Sequence, residues 1–334
     1  MINLRYNKMN DYPIFGIRNL GNTCYINSVI QCLRHTPDLY LYLHSEKFKK
    51  DLMRYYKQNE NIEEAILVES FSNIVKKTVN LPPKTVIRPE DFIRKFDEKF
   101  HEIALIPQDS HEALNFLLDQ FHNMTSHKVK IDLLNMTKEG AKSWKKFYEK
   151  DFSEIISLFY GQLETVITCN QCKHKTITYA PFNDFNIELT QNLLKSIKLL
   201  FSEEDVEKRC EKCNTEENIE MTKKQMISMF PQYLIIQVKR FQFGMQGLRK
   251  IDGPLEVSDM IDISKYHAYK NRYGIYQLYA GIIHLGSPTF GHYISFCKTN
   301  DFWYKYDDDS VNQLSPKELE YLKNNAYVLF YKKL

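Results

Sequence analysis

Two C-x-x-C pairs, "CNQC" (Cys169 and Cys172) and "CEKC" (Cys210 and Cys213), constrain this 334-residue chain more than any other feature. Each C-x-x-C turn presents two thiolates to one side of a cation. Two such turns complete a tetrahedral four-sulfur site, a set that suits zinc. With all four positions taken by protein sulfur, no coordination site stays open, so the metal is read as structural. The 37 residues between the pairs exceed the gap of a compact zinc ribbon. Within that gap, "TITYAPFNDFNIEL" reads as strand and turn, so two hairpin tips are expected to converge on one ion. His174, just past the first pair, is the alternative ligand and is read as a surface histidine. A thioredoxin-like use would need one pair between a strand and a helix, which fits neither.

The rest of the chain divides by character. After Cys24, the residues Ile26, Val29, Ile30 and Leu33 keep helical spacing, with Pro37 just beyond the expected end. A second helix is expected from about Ser110, read as its N-cap, with Leu114, Leu117, Leu118 and Phe121 buried. The Lys- and Glu-rich stretch from about 40 to 105 reads as further helices with solvated faces. Later segments change: "YLIIQVKRF", "GIYQLYAGIIH", "HYISFCK", "FWYKYD" and "AYVLFYKKL" are aromatic and β-branched, bounded by Gly, Pro, Asn and Asp. Helices first and strands later give an α+β protein, with a cleft between the two parts as the natural place for a site.

Net charge is only +3, which argues against a nucleic-acid footprint, and no basic, aromatic-studded face accompanies the cysteine pairs. No apolar run approaches the roughly 20 residues that span a bilayer. The N-terminal "MINLRYNKMNDYPIF" lacks a signal-peptide core. Seven cysteines, an odd number, fit a reducing compartment, so the cytosol or nucleus is expected. In that setting the sequons at Asn123 and Asn135 are read as chance.

With four cysteines given to metal, Cys24, Cys32 and Cys297 remain. Cys32 lies inside the first helix and Cys297 in a strand, where packing accounts for both. Cys24 follows a glycine turn at a helix start, where unpaired N–H groups and the helix dipole favour a thiolate. A thiol nucleophile needs a base, and the base an orienting group. "FGHYISF" supplies His292 at the mouth of one strand. "YKYDDDSV" supplies Asp307, Asp308 and Asp309 at the end of the next, and a hairpin would bring His292 to one of them. Each residue alone has a plainer reading: a structural histidine, a solvated acidic turn, a core thiol.

The wording of these segments goes further. "GIRNLGNTCYINSVIQCL" resembles the Cys box of the ubiquitin-specific proteases, papain-like cysteine deubiquitinases. "LYAGIIHLGSPTFGHYISFCK" with "FWYKYDDDSV" and "AYVLFYKKL" resembles their His box and last strand. "QDSHEAL" resembles the family's Gln-Asp-Ala-His-Glu segment, and "FYGQLETVITCNQC" the entry to its zinc-bearing fingers. The resemblance implies a papain-like cysteine protease fold: a single domain over 14–334 behind an N-terminal extension of 1–13. A helical thumb would span about 14–150. Zinc-bearing β fingers with part of the palm would span about 151–245, and a β-rich palm about 246–334. It implies Cys24 as nucleophile, His292 as base, Asp307 as orienting acid and Asp308 as auxiliary acid. It further implies Asn19 as oxyanion donor, and Asp109 and Glu112 beside the ubiquitin tail. The implied protein is a monomeric deubiquitinase acting on ubiquitin and ubiquitinated proteins, with no nucleic-acid or membrane partner. The alternatives are an isopeptidase for another ubiquitin-like modifier and an inactive ubiquitin-binding module. Three positions depart from the family pattern. Phe290 replaces a glycine before His292, Ala113 replaces a phenylalanine, and the Phe-Pro expected after "VKRFQF" is missing from "GPLEVSDMIDI".

Overall fold

The computed structural model describes residues 13–79, 81–82, 85–100, 108–131, 138–213, 217–244, 247–287 and 290–334. The N-terminal part runs β1 (Phe15–Ile17), α1 (Cys24–Arg34), α2 (Pro37–His44), α3 (Glu46–Gln58), α4 (Glu63–Lys77), β2 (Thr85–Ile87), α5 (Glu90–Phe100), α6 (Ser110–Thr125), α7 (Lys138–Tyr148) and α8 (Glu154–Phe159). Helical structure thus continues past the boundary expected near 150, because Ile155, Leu158 and Phe159 of α8 join the same core as α6. Every residue of α1 is buried, including the polar Asn27, Ser28, Gln31 and Arg34. It is a central helix with a polar stripe bonded to protein partners and differs from the amphipathic surface helix that its apolar spacing alone describes.

Two helix starts differ from expectation. Pro37 lies beyond α1 as expected, and it also opens α2, where its fixed φ and missing N–H suit the first turn. The cap of α6 is Asp109: its carboxylate accepts from the N–H groups of His111 and Glu112, and Ser110 is the first helical residue. Asp109 Oδ1 accepts from these two first-turn N–H groups at once. The pair β1–β2, parallel over Phe15–Thr85 to Ile17–Ile87, was not legible because three-residue strands carry no period.

Next come β3 (Gly161–Cys169), β4 (Lys175–Phe182), β5 (Asp184–Ile187), α9 (Leu193–Leu200), β6 (Glu204–Lys208), β7 (Ile219–Met229) and β8 (Tyr233–Val238). They are followed by β9 (Phe241–Gly244), β10 (Gly247–Lys250), β11 (Met260–Asp262), β12 (Ile275–Gly286), β13 (Gly291–Thr299), β14 (Phe302–Asp307), β15 (Ser310–Gln313), α10 (Pro316–Asn324) and β16 (Ala326–Lys333). One sheet, ordered β4-β3-β7-β6, projects as two paired hairpins. The larger sheet runs β15-β14-β13-β12-β16-β8-β5, with β11 on β12. Its two faces divide by strand parity. Tyr293 and Cys297 of β13 enter the core shared with α1 and the N-terminal helices. Ile294 and Phe296 enter a second core with Leu193 and Ile197 of α9 and Leu322 of α10. No helix among the described residues is long and apolar enough to cross a membrane.

Candidate active site

The quoted loop before α1 is shaped by its own side chains. Gly21 (φ 108°) and Asn22 (φ 54°) take left-handed conformations. The Asn19 side-chain carbonyl accepts from the N–H of Gly21 (3.0 Å) and of Thr23 (3.2 Å). This closes an Asx turn that delivers Cys24 as the first residue of α1. No side chain caps that end of the helix, which leaves its first N–H groups without a capping partner. Cys24 itself is only 7% exposed.

His292 comes from the opposite wall. The β12–β13 hairpin closes through Gly286 (φ 96°) paired with Gly291, with the Ser287 N–H donating to the Phe290 carbonyl at 3.0 Å. A Cβ on Gly291 would sit 1.9 Å from His284 Nε2, so glycine is required there. Phe290, where the family has a glycine, points its ring outward at 85% exposure. The β13–β14 register pairs Ser295 with Tyr306, which carries Asp307 to the level of residue 294, one same-face step from His292. His292 Nε2 and Asp307 Oδ1 are 2.7 Å apart.

That hydrogen bond is the main reason the His292 pKa is pushed up to about 10. The Cys24 thiol, within hydrogen-bonding reach, adds to it, while burial opposes it. Nε2 is engaged by Asp307, which leaves Nδ1 for Cys24. The same contact holds Asp307 below the ordinary carboxylate range, helped by Lys305 at 3.6 Å. Beneath Gly291, burial first and then Lys250 and His292 lower His284 to about 4, so it is neutral at pH 7 and adds no second charge.

The His292–Asp307 pair links stability to pH. His292 is raised on folding, so its stabilisation is complete below its ordinary 6.5 and is lost as pH rises through about 10. Asp307 is lowered, so its share is present above 3.8 and lost as pH falls from there. His292 is more than a third exposed, so solvent screening keeps the effect modest. Between pH 6.5 and 10 the urea midpoint of Asp307→Asn should fall less than that of the wild type. Parallel curves would contradict the pairing.

The three aspartates do three different things. Asp308, at φ 49°, accepts from Asn19 Nδ2 (2.9 Å) and Asn27 Nδ2 (2.8 Å), and its carbonyl accepts from the Ile17 N–H (2.8 Å). Its carboxylate lies 4.0 Å from His292 Nε2. Asp309 pairs at the surface with Arg18 (2.7 Å). Asp109, expected beside the ubiquitin tail, lies inside the fold. It is 2% exposed, with one oxygen capping α6 and the other accepting from the Tyr327 hydroxyl at 2.8 Å. Glu112 sits in the first turn of α6, partly exposed. Asn27 and Tyr327 escaped the sequence reading. Their only signal, a polar group on an apolar face, shows no partner until the strands are in place.

At the tip of the smaller sheet, Cys169 ends β3, Cys172 lies in the β3–β4 turn, and Cys210 and Cys213 lie in the β6–β7 connection. The β3–β7 pairing at Cys169–Met221 brings the two tips together. The four Sγ atoms lie within 4.8 Å of one another, with 3.8 Å between Cys169 and Cys213 and 3.6 Å between Cys172 and Cys210. Metal–sulfur bonds of about 2.3 Å in a tetrahedron place sulfurs about 3.8 Å apart, so the cluster is close enough to hold a metal. His174 is not in the group; its carbonyl accepts from the Cys169 N–H at 2.9 Å and closes the turn.

Comparison with known proteins agrees with this geometry. The family model described as ubiquitin carboxyl-terminal hydrolase matches residues 15–331. Human ubiquitin carboxyl-terminal hydrolase 2 is 30% identical over 341 residues, covering 95% of this chain and 54% of the relative. The Drosophila melanogaster enzyme Usp2 is 31% identical over 338 residues, covering 95% of this chain and 34% of the relative. The chain therefore spans about half the length, or less, of these curated relatives. Among solved structures, the SAGA DUB module Ubp8/Sgf11/Sus1/Sgf73 bound to monoubiquitin matches with a TM-score of 0.73 at 24% identity, over 98% of this chain and 70% of that one. The same module bound to ubiquitin aldehyde gives 0.71 at 23%, with the same coverage, and these two likenesses speak to the fold. With the family model spanning nearly the whole chain, this protein belongs to the ubiquitin carboxyl-terminal hydrolase family.

Proposed function

We propose that this chain is a thiol isopeptidase that cleaves bonds to the C-terminal glycine of ubiquitin through a thioester on Cys24. The observation that carries this reading is the convergence of Cys24, His292 and Asp307 across the cleft, with Asp307 2.7 Å from the imidazole. His292 takes the Cys24 proton, and Asp307 holds the imidazolium that forms. The thiolate attacks the glycine carbonyl. Asn19 Nδ2, with one N–H on Asp308, and the N–H groups at the start of α1 surround the position where the oxyanion forms. Collapse of the tetrahedral intermediate breaks the C–N bond, and His292 returns its proton to the departing lysine amine. Water, deprotonated by His292, then attacks the thioester and releases the carboxylate and the thiol.

Zinc is the proposed occupant of the four-cysteine cluster. Four sulfur donors in a tetrahedron suit it, and the closed set leaves no position for substrate. The named activity of the relatives and the ubiquitin seen on the Ubp8 module support ubiquitin as the modifier.

A panel of ubiquitin and ubiquitin-like proteins carrying C-terminal electrophiles tests the proposal. Ubiquitin should form a covalent adduct located at Cys24, and other modifiers should react far more slowly. Preferential capture of another modifier would reassign the substrate. Binding of ubiquitin without any adduct would favour a non-catalytic module.

A further inference from the structure

We infer that Asn27 is a positioning residue of this reaction: it holds the carboxylate of Asp308, and Asp308 in turn aims the Asn19 amide at the developing oxyanion. The inference rests on the hydrolysis at Cys24 proposed above. Asn27 lies three residues after Cys24 on α1 and is 3% exposed. Its Nδ2 donates to Asp308 Oδ1 at 2.8 Å, while Asp308 Oδ2 accepts from Asn19 Nδ2 at 2.9 Å. The other contacts of Asn27 Nδ2, to the Ile17 and Arg18 carbonyls, are both 3.5 Å. Its own Oδ1 is buried without a partner.

A buried amide with an unsatisfied acceptor is a poor way to fill space in the middle of a helix. A small apolar side chain would pack there without that penalty. What the amide supplies is a donor to Asp308. The position of that carboxylate matters twice. It orients Asn19, whose Oδ1 is already fixed by the loop N–H groups, so that the remaining freedom of the amide is removed. It also sits 4.0 Å from His292 Nε2. A carboxylate released from Asn27 can rotate onto the imidazole and compete with Asp307. Two amides, one from the helix of the nucleophile and one from the oxyanion loop, keep Asp308 off the base.

The test is a double-mutant cycle on hydrolysis of ubiquitin bearing a C-terminal fluorophore. Asn27→Ala should lower kcat roughly 10- to 100-fold, the range for loss of a hydrogen bond to a charged group, with KM little changed. In an Asp308→Ala background the same substitution should change kcat less than about threefold, because its target is already gone. Equal effects in both backgrounds, or an unaffected kcat in the single variant, would overturn the inference while leaving the proposed function intact. A wild type without turnover would instead remove the proposed function.

If Asn27→Ala does not fold, the isosteric Asn27→Asp decides. Its introduced carboxyl faces Asp308, with the His292–Asp307 pair, Cys24 and the Arg18–Asp309 ion pair as the other charged or titratable neighbours. Two carboxylates in one site share a proton, and the protonated partner donates to Asp308 as the amide did. Activity of Asn27→Asp relative to wild type should therefore rise as pH falls from 8 to 5.5. A ratio independent of pH would refute the donor role.

Discussion

Cys24→Ala is expected to abolish release of a fluorophore from the C-terminus of ubiquitin, with the fold intact. The reason is that no neighbouring group replaces the sulfur. The other two cysteines outside the metal cluster, Cys32 and Cys297, are fully buried between α1 and the large sheet and cannot reach a substrate. His292→Ala should be nearly as severe, roughly 10⁵-fold or more in kcat, since nucleophile and base act as one unit. Asp307→Asn should be milder, about 10⁴-fold, because it leaves the base in place and removes its orientation and charge support. The order matters more than any single value. Asp308 is held off the base by Asn19 and Asn27, so Asp307→Asn/Asp308→Asn should lose more activity than Asp307→Asn through the freed Asn19 amide. Full activity in Cys24→Ala would remove the nucleophile assignment, and equal loss in all variants would remove the division of roles.

Much of this site is legible in the sequence, for physical reasons that can be named. Strand chemistry marks β12, β13, β14 and β16, and the antiparallel register then makes the meeting of His292 with Asp307 almost unavoidable. The C-x-x-C turns mark the metal cluster, because ligand spacing is a local property. What stays hidden is non-local. The Asp-Asp-Asp turn looks like solvated charge, yet Asp308 is nearly buried and holds two amides, 281 and 289 residues away in the chain. Asp109 looks like a ligand contact by its place in a motif, and the structure uses it to cap α6 and tie that helix to Tyr327 of β16. Burial decides both cases, and burial depends on partners that periodicity does not name. The short strands β1 and β2 escape for the same reason: Ile17 is held by Asp308 and by its pairing with Ile87.

Removal of metal should loosen the smaller sheet and leave the rest of the molecule folded. The thumb helices and both faces of the large sheet have extensive cores of their own. The tip of the smaller sheet has only Cys169, Cys210 and Met221 buried, with Ile167, Val206 and Ile219 partly covered, and Ile177 of β4 is 50% exposed. With so little apolar burial, a metal held by the four cysteines would add to the β3–β7 ladder in keeping the two tips together. Hydrogen bonds from the backbone N–H of Cys172, and further donors, draw Cys169 down to about 6, while hydrogen bonding to Cys172 and the other thiols pushes Cys213 up to about 12. Four sulfurs within 4.8 Å cannot all be thiolates unless a cation sits among them. Chelation at neutral pH should therefore expose the amides of β3, β4, β6 and β7 nearest the cysteines to hydrogen exchange. Amides of β12, β13 and α1 should keep their protection. Turnover should be little changed, because Cys24, His292 and Asp307 lie on α1, β13 and β14, away from the cysteine cluster. Fresh protein with no bound zinc, or a chelated protein with unchanged exchange in those strands, would mean that the hairpins are held together by packing alone.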